Sequence, residues 1–166
     1  GYDDVKWLLK RSLASERATH FLFVGPPASA KSLILMELER LEGAYYAVGS
    51  GASKAGLRQL LLDLDPRILL VDELDKVRTV KDYAVLLSLM ESGVVAETLY
   101  KRHRKATRST RVFAAANEDE DLTPELISRF VRLRFRPYTV ADFLVIADRV
   151  LVDREGVEPD LAQAIA

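Results

Sequence analysis

The chain of 166 residues contains no cysteine, so disulfides and cysteine-zinc sites are excluded, and an intracellular, cytoplasmic setting is the expectation. Its two histidines, His20 and His103, lie far apart, which argues against a histidine-rich metal site. Apolar runs such as Ile68 to Val71 are far too short to cross a bilayer, so no membrane partner is expected. The formal net charge of -1 gives no bulk attraction to nucleic acid, although charge can still be concentrated locally. Neither repeats nor low-complexity tracts occur. No signal peptide is visible, and a start at Gly1 rather than Met points to residues ahead of it in the natural protein.

What remains is ordinary globular composition, 49% hydrophobic and 30% charged, in a chain long enough to bury a core. Val5, Leu8, Leu9 and Leu13 recur at helical spacing after Asp3 and Asp4, which suit a helix start. Short apolar strands are expected at 20–24, 44–48, 67–71, 111–116 and 131–135, with helices at 31–41, 54–62, 80–91 and 124–129 between them. Thr123-Pro124 reads as an N-cap followed by proline at the first helical position. Five strands alternating with helices indicate an α/β fold with a five-stranded parallel sheet sandwiched by helices. Residues 1–136 form this core. From about residue 137 the chain turns helical, as the incomplete start of a second, helical domain (137–166).

Gly25-Pro-Pro-Ala-Ser-Ala-Lys31-Ser32 lies between a strand and a helix. A phosphate-binding loop asks for Gly, four residues, Gly, Lys and Ser or Thr, and Ala30 stands where the second glycine belongs. Such a loop wraps backbone N–H groups around phosphates at a helix N-terminus. Gly25, Pro26, Pro27, Ala28, Ser29, Ala30, Lys31, Ser32 and Leu33 are therefore the candidate nucleotide contacts. Lys31 would reach the β- and γ-phosphates, and Ser32 would hold Mg²⁺. An ordinary strand-to-helix turn with an exposed lysine is the bland alternative.

Arg67-Ile-Leu-Leu-Val71-Asp72-Glu73 runs an apolar strand into two acids. Ligands of parallel sheets bind beyond the strands' carboxyl ends, which places Asp72 beside the loop as an Mg²⁺ ligand through water. Glu73 would polarise the attacking water as general base. A solvated acidic turn would look the same in isolation; the two motifs together point to ATP or GTP. Asn117, at another strand end, is placed to contact a γ-phosphate or a water, or else simply caps a loop. Arg129 ends a short helix, either as a cation on the helix dipole or as an arginine finger.

At these motifs the chain resembles the AAA+ ATPases over nearly its whole length. The Ala-Lys-Ser ending of the loop is similar to the minichromosome-maintenance (MCM) helicases. So are Gly1-Tyr-Asp-Asp-Val-Lys6, Gly49-Ser-Gly-Ala-Ser-Lys-Ala-Gly-Leu57, Val71-Asp-Glu-Leu-Asp-Lys76, Ala114-Ala-Ala-Asn117 and Ile127-Ser-Arg-Phe130. The segment from Tyr138-Thr-Val to Val157-Glu resembles the RuvB branch-migration motors. The resemblance implies an ATP- and Mg²⁺-dependent subunit of a ring, a hexamer, with Lys31 and Ser32 in Walker A and Asp72 and Glu73 in Walker B. It puts Asn117 at sensor 1, Arg129 at the finger serving the neighbouring subunit, and Tyr2 to Lys6 along the adenine pocket. It also implies a β-hairpin before sensor 1, a helical lid, and a sensor 2 arginine beyond Ala166. In departure from MCM proteins, there is no room between Val48 and Arg67 for their long helix-2 insertion.

Six of the 24 basic residues fall within positions 101–111, where Lys101, Arg102, Arg104 and Lys105 are candidate DNA-phosphate contacts. A charged loop paired with acids, such as Glu118-Asp-Glu-Asp121 or those of another subunit, is the competing reading. A nucleic-acid helicase or translocase and a MoxR-type protein-remodelling ATPase both accommodate a hairpin there. The loop Gly49 to Lys54 lacks the aromatic residue that polypeptide-threading machines use, which favours the former.

Overall fold

The computed structural model describes residues 2–51, 53–77, 83–99 and 102–161, with Leu99, Arg102 and Arg154 described by backbone alone. Strands β1 (Phe21–Val24), β2 (Ala44–Val48), β3 (Ile68–Asp72), β6 (Arg111–Ala116) and β7 (Val131–Arg134) form a sheet in the order β2-β3-β6-β1-β7. Every pairing in it is parallel, as the alternation with helices predicts. Strands β4 (Val94–Leu99) and β5 (Arg102–Thr107) make a separate antiparallel hairpin ahead of β6. The expected strand start at His20 shifts by one, since His20 precedes β1; the helix expected from Val80 is described from Ala84, and 78–82 lie outside the described residues.

Side chains of a strand alternate between faces, and the central strands are apolar on both because helices cover both. Leu22, Val24, Leu69, Val71, Val112, Ala114 and Ala116 face helices α3 (Lys54–Asp63) and α4 (Ala84–Ser92). Phe21, Phe23, Ile68, Leu70, Phe113 and Ala115 face α1 (Asp3–Ala14) and α2 (Lys31–Glu39). Phe21 and Phe113 stack with ring centroids 5.6 Å apart. This double-sided core holds the strand ends rigidly, and β1, β3 and β6 all finish at the same edge of the sheet.

Two further helices follow β6 among the described residues. In α5 (Pro124–Ile127), Thr123 accepts a hydrogen bond from the Leu126 N–H and Pro124 occupies the first turn, as anticipated. Helix α6 (Val140–Arg149) opens with a reciprocal capping box between Thr139 and Asp142 and runs into a π-helical turn, Val150–Arg154. None of its residues is buried, and Val140 and Phe143 are 76% and 58% exposed, so α6 is not part of the core.

Candidate nucleotide-binding site

The loop after β1 is shaped by close backbone approach. The Gly25 N–H donates to the Ala116 carbonyl at 3.3 Å, and the Phe135 N–H donates to the Val24 carbonyl at 2.7 Å. A Cβ at Gly25 would lie 2.5 Å from the Phe135 carbonyl oxygen, so only glycine fits. Ala28 (φ 60) and Ala30 (φ 68) are both left-handed. The glycine that the loop pattern asks for at position 30 thus answers a real backbone demand, and alanine meets it at some strain. Ala30 leads straight into α2, whose first turn directs unpaired N–H groups toward the loop.

Lys31 is 6% exposed and folds back over that loop. Its ammonium donates to the carbonyls of Gly25 (2.6 Å) and Pro26 (2.8 Å), to Ser29 Oγ (3.3 Å) and to Asn117 Oδ1 (3.2 Å). The Ser29 hydroxyl in turn donates to the Pro26 carbonyl at 2.7 Å. Burial pushes the Lys31 ammonium below the usual lysine range, while the negative charges of Asp72 and Asp75 oppose that shift. The lysine of the loop and the asparagine at the end of β6, 86 positions apart, are in direct contact.

The acids arrive from β3. Asp72 accepts hydrogen bonds from the Tyr46 hydroxyl at 2.7 Å and from the Glu73 N–H at 2.9 Å. Burial and the adjoining Asp72 carboxylate push the Tyr46 phenol well above its ordinary range, so it stays a donor. Glu73 takes a left-handed conformation (φ 53), and its Oε2 accepts from the Ser50 hydroxyl at 3.1 Å. Gly49 passes so close that a Cβ there would lie 2.3 Å from the Glu73 carbonyl oxygen.

A cavity of about 860 Å³ joins these groups. Residues 27–33, Asp72, Glu73 and Asn117 line one side, and Pro137, Tyr138, Thr139, Val140, Phe143 and Ile146 line the other. Its size suits a small-molecule ligand. A second hollow, about 570 Å³ between β2 and α3, contains none of the candidate nucleotide, metal or catalytic residues. Gly25 and Pro26 stand behind the cavity as acceptors for Lys31. Tyr2 is also outside the lining: its ring packs 4.7 Å from Phe135 and 6.1 Å from Tyr138, and its hydroxyl donates to the Arg136 carbonyl at 3.1 Å. Arg129 is exposed, away from the cavity, and pairs with Glu91 at 3.0 Å.

In the hairpin, Arg104 bonds Asp63 of α3. Arg108 anchors its base to the carbonyls of Leu61 and Leu62 and to Asp65. Lys105 is exposed, whereas Lys101 and the Arg102 side chain lie outside the described residues. The acidic run after Asn117 turns elsewhere: Asp119 pairs with Arg132 and Arg134 of β7.

Tyr46, Ser50, Asp75 and the apolar face of α6 also bear on the site, although the sequence assigned none of them a role there.

A phosphate-type loop, an acidic strand end and a polar strand end converging on one cavity of a parallel sheet define a P-loop nucleotide-binding protein. Residues 21–138 match the ATPase family associated with various cellular activities (AAA), and the chain belongs to that family. Membership implies ATP binding and hydrolysis. No curated protein matches the chain.

Proposed function

We propose that this domain hydrolyses Mg²⁺-ATP as a subunit of a homo-oligomeric ring, a hexamer, that moves along nucleic acid in the manner of MCM- or RuvB-like motors. The observation that carries the ATPase reading is the meeting of Lys31, Asp72, Glu73 and Asn117 at one cavity. Phosphates replace the loop carbonyls as partners of Lys31 and draw on the N–H groups at the start of α2. Ser32 and Asp72 supply a hydroxyl and a carboxylate on the cavity wall, the hard oxygen donors that suit Mg²⁺. Among the described residues no cluster of three or more His, Asp or Glu could cage a metal, which fits an ion completed by waters and phosphates. When bound, Mg²⁺ neutralises phosphate charge.

Glu73, oriented by Ser50, accepts the proton of the attacking water, and Asn117 positions that water or the γ-phosphate. Val140, Phe143 and Ile146 give the base an apolar wall, so the segment from 137 onward acts as the start of a lid, and Tyr2 supports that wall through Tyr138 rather than touching the base. Arg129, exposed at the end of α5, serves the neighbouring subunit's nucleotide.

The basic hairpin supports nucleic acid as the track, with Lys105 free to meet phosphate. One observation favours protein remodelling instead: Arg104 is committed to Asp63, which removes one cation from the grip. Phosphate release from Mg²⁺-ATP, measured with and without single-stranded DNA, tests the proposal. Stimulation by DNA is expected; stimulation by unfolded polypeptide alone would transfer the reading to a remodelling ATPase.

A further inference from the structure

We propose that Tyr46 is a positioning residue for Asp72, fixing the carboxylate that receives Mg²⁺. The inference rests on the metal role proposed for Asp72 and adds to it a residue that no motif contains. Tyr46 sits on β2 directly beside Leu70 of β3 in the parallel register. Asp72 lies two residues beyond Leu70 and so projects from the same face of the sheet. A phenol spans that distance along the strands, and its O–H reaches Asp72 Oδ2 at 2.7 Å.

The other carboxylate oxygen, Oδ1, accepts the Glu73 N–H at 2.9 Å. With a donor on each oxygen, the plane of the carboxylate is set before any ligand arrives. Each oxygen still has a lone pair for a metal ion or its water. The Tyr46 ring is itself half-buried against the core cluster that contains Leu35, Leu38, Ile68 and Leu70, so the hydroxyl is held from behind. Charge-assisted O–H···O⁻ bonds of this length are strong, and partners that orient metal ligands typically change metal affinity 10- to 100-fold when removed.

The test titrates Mg²⁺ against the binding of a fluorescent, non-hydrolysable ATP analogue, using wild type, Tyr46→Phe, Asp72→Asn and the double variant. Phenylalanine keeps the packed ring and removes only the hydroxyl. Tyr46→Phe should raise the half-saturating Mg²⁺ concentration roughly 10-fold. Analogue binding without Mg²⁺ should be unchanged. In the Asp72→Asn background, the same substitution should change the Mg²⁺ midpoint by less than about twofold, because the two side chains act as one unit. The inference is overturned if Asp72→Asn shifts the midpoint and Tyr46→Phe does not, or if the Tyr46→Phe shift persists in full without the carboxylate. A midpoint unmoved by Asp72→Asn would overturn it differently, by removing the metal role of Asp72 itself. A tyrosine that only packs would leave both the unfolding temperature and the Mg²⁺ midpoint of Tyr46→Phe near wild type, which would also overturn the inference.

Discussion

Replacing Ala30 by glycine should stabilise the protein, although glycine substitutions usually do the reverse. Ala30 holds φ 68 and ψ 10 immediately before α2. An L-residue with a Cβ gives up about 1–2 kcal/mol in that left-handed region, which glycine does not. Against this, glycine widens the unfolded ensemble and gives back about 0.4–1 kcal/mol. The net is a gain of roughly 1 kcal/mol, which in a domain of this size raises the unfolding midpoint by about 2–4 °C. Differential scanning calorimetry of wild type and Ala30→Gly reads the shift directly. Ala147→Gly, inside α6, supplies a control of opposite sign, since glycine in a helix interior costs about 1 kcal/mol. Ala30→Val should destabilise, because a β-branched residue at positive φ is a severe outlier. If Ala30→Gly lowers the midpoint as Ala147→Gly does, residue 30 is not left-handed and the described loop geometry is wrong.

Glu73→Gln should keep ATP affinity and lower turnover by roughly 10² or more, measured by phosphate release beside nucleotide titration. Arg129→Ala should cost less than about 1 kcal/mol of stability, since its pair with Glu91 is exposed. Oligomers of Arg129→Ala alone should be inactive, and mixing them with Lys31→Ala subunits should restore some hydrolysis; no recovery in any mixture would make Arg129 structural. His20 is buried, its Nδ1 accepts the Val112 N–H at 3.1 Å, and burial with nearby Arg111 holds its pKa below the ordinary 6.5. The unfolded chain therefore takes up a proton first as pH falls. This contribution to stability is complete above pH 6.5 and declines below it toward the depressed value, by at most about 1.4 kcal/mol per pH unit. Urea midpoints across that window should fall more gently for His20→Gln. For the hairpin, replacing Lys105 should reduce the salt slope of DNA binding by roughly 0.7 to 0.9, and replacing Arg104 should reduce it less.

The elements that the sequence makes legible are those whose signals are local. Strand and helix alternation, the apolar run into Asp72 and Glu73, and the Thr123-Pro124 start each occupy neighbouring positions, and the structure places the five strands and the Thr123-Pro124 start within a residue or two of expectation. Ala30 shows the reverse case: a mismatch in pattern that is no mismatch in backbone, because alanine adopts the glycine conformation. Interactions set by lateral register stay hidden. The Tyr46 to Asp72 bond depends on β2 pairing with β3, and the Arg104 to Asp63 pair depends on where the hairpin lands on α3. The apolar cavity wall from α6 was equally unreadable, since its residues look like any amphipathic helix until their neighbour across the cavity is known.

Nucleotide affinity with and without the Lys31 side chain tests the central claim most directly. Isothermal titration calorimetry of ATP with Mg²⁺ should show one site per chain in wild type. In Lys31→Ala binding should be weakened at least about tenfold, as expected when a buried charge-assisted contact to phosphate worth about 1.5–3 kcal/mol is lost. Equal affinity in the two proteins, or no binding to either, would contradict the account of this cavity as the ATP site.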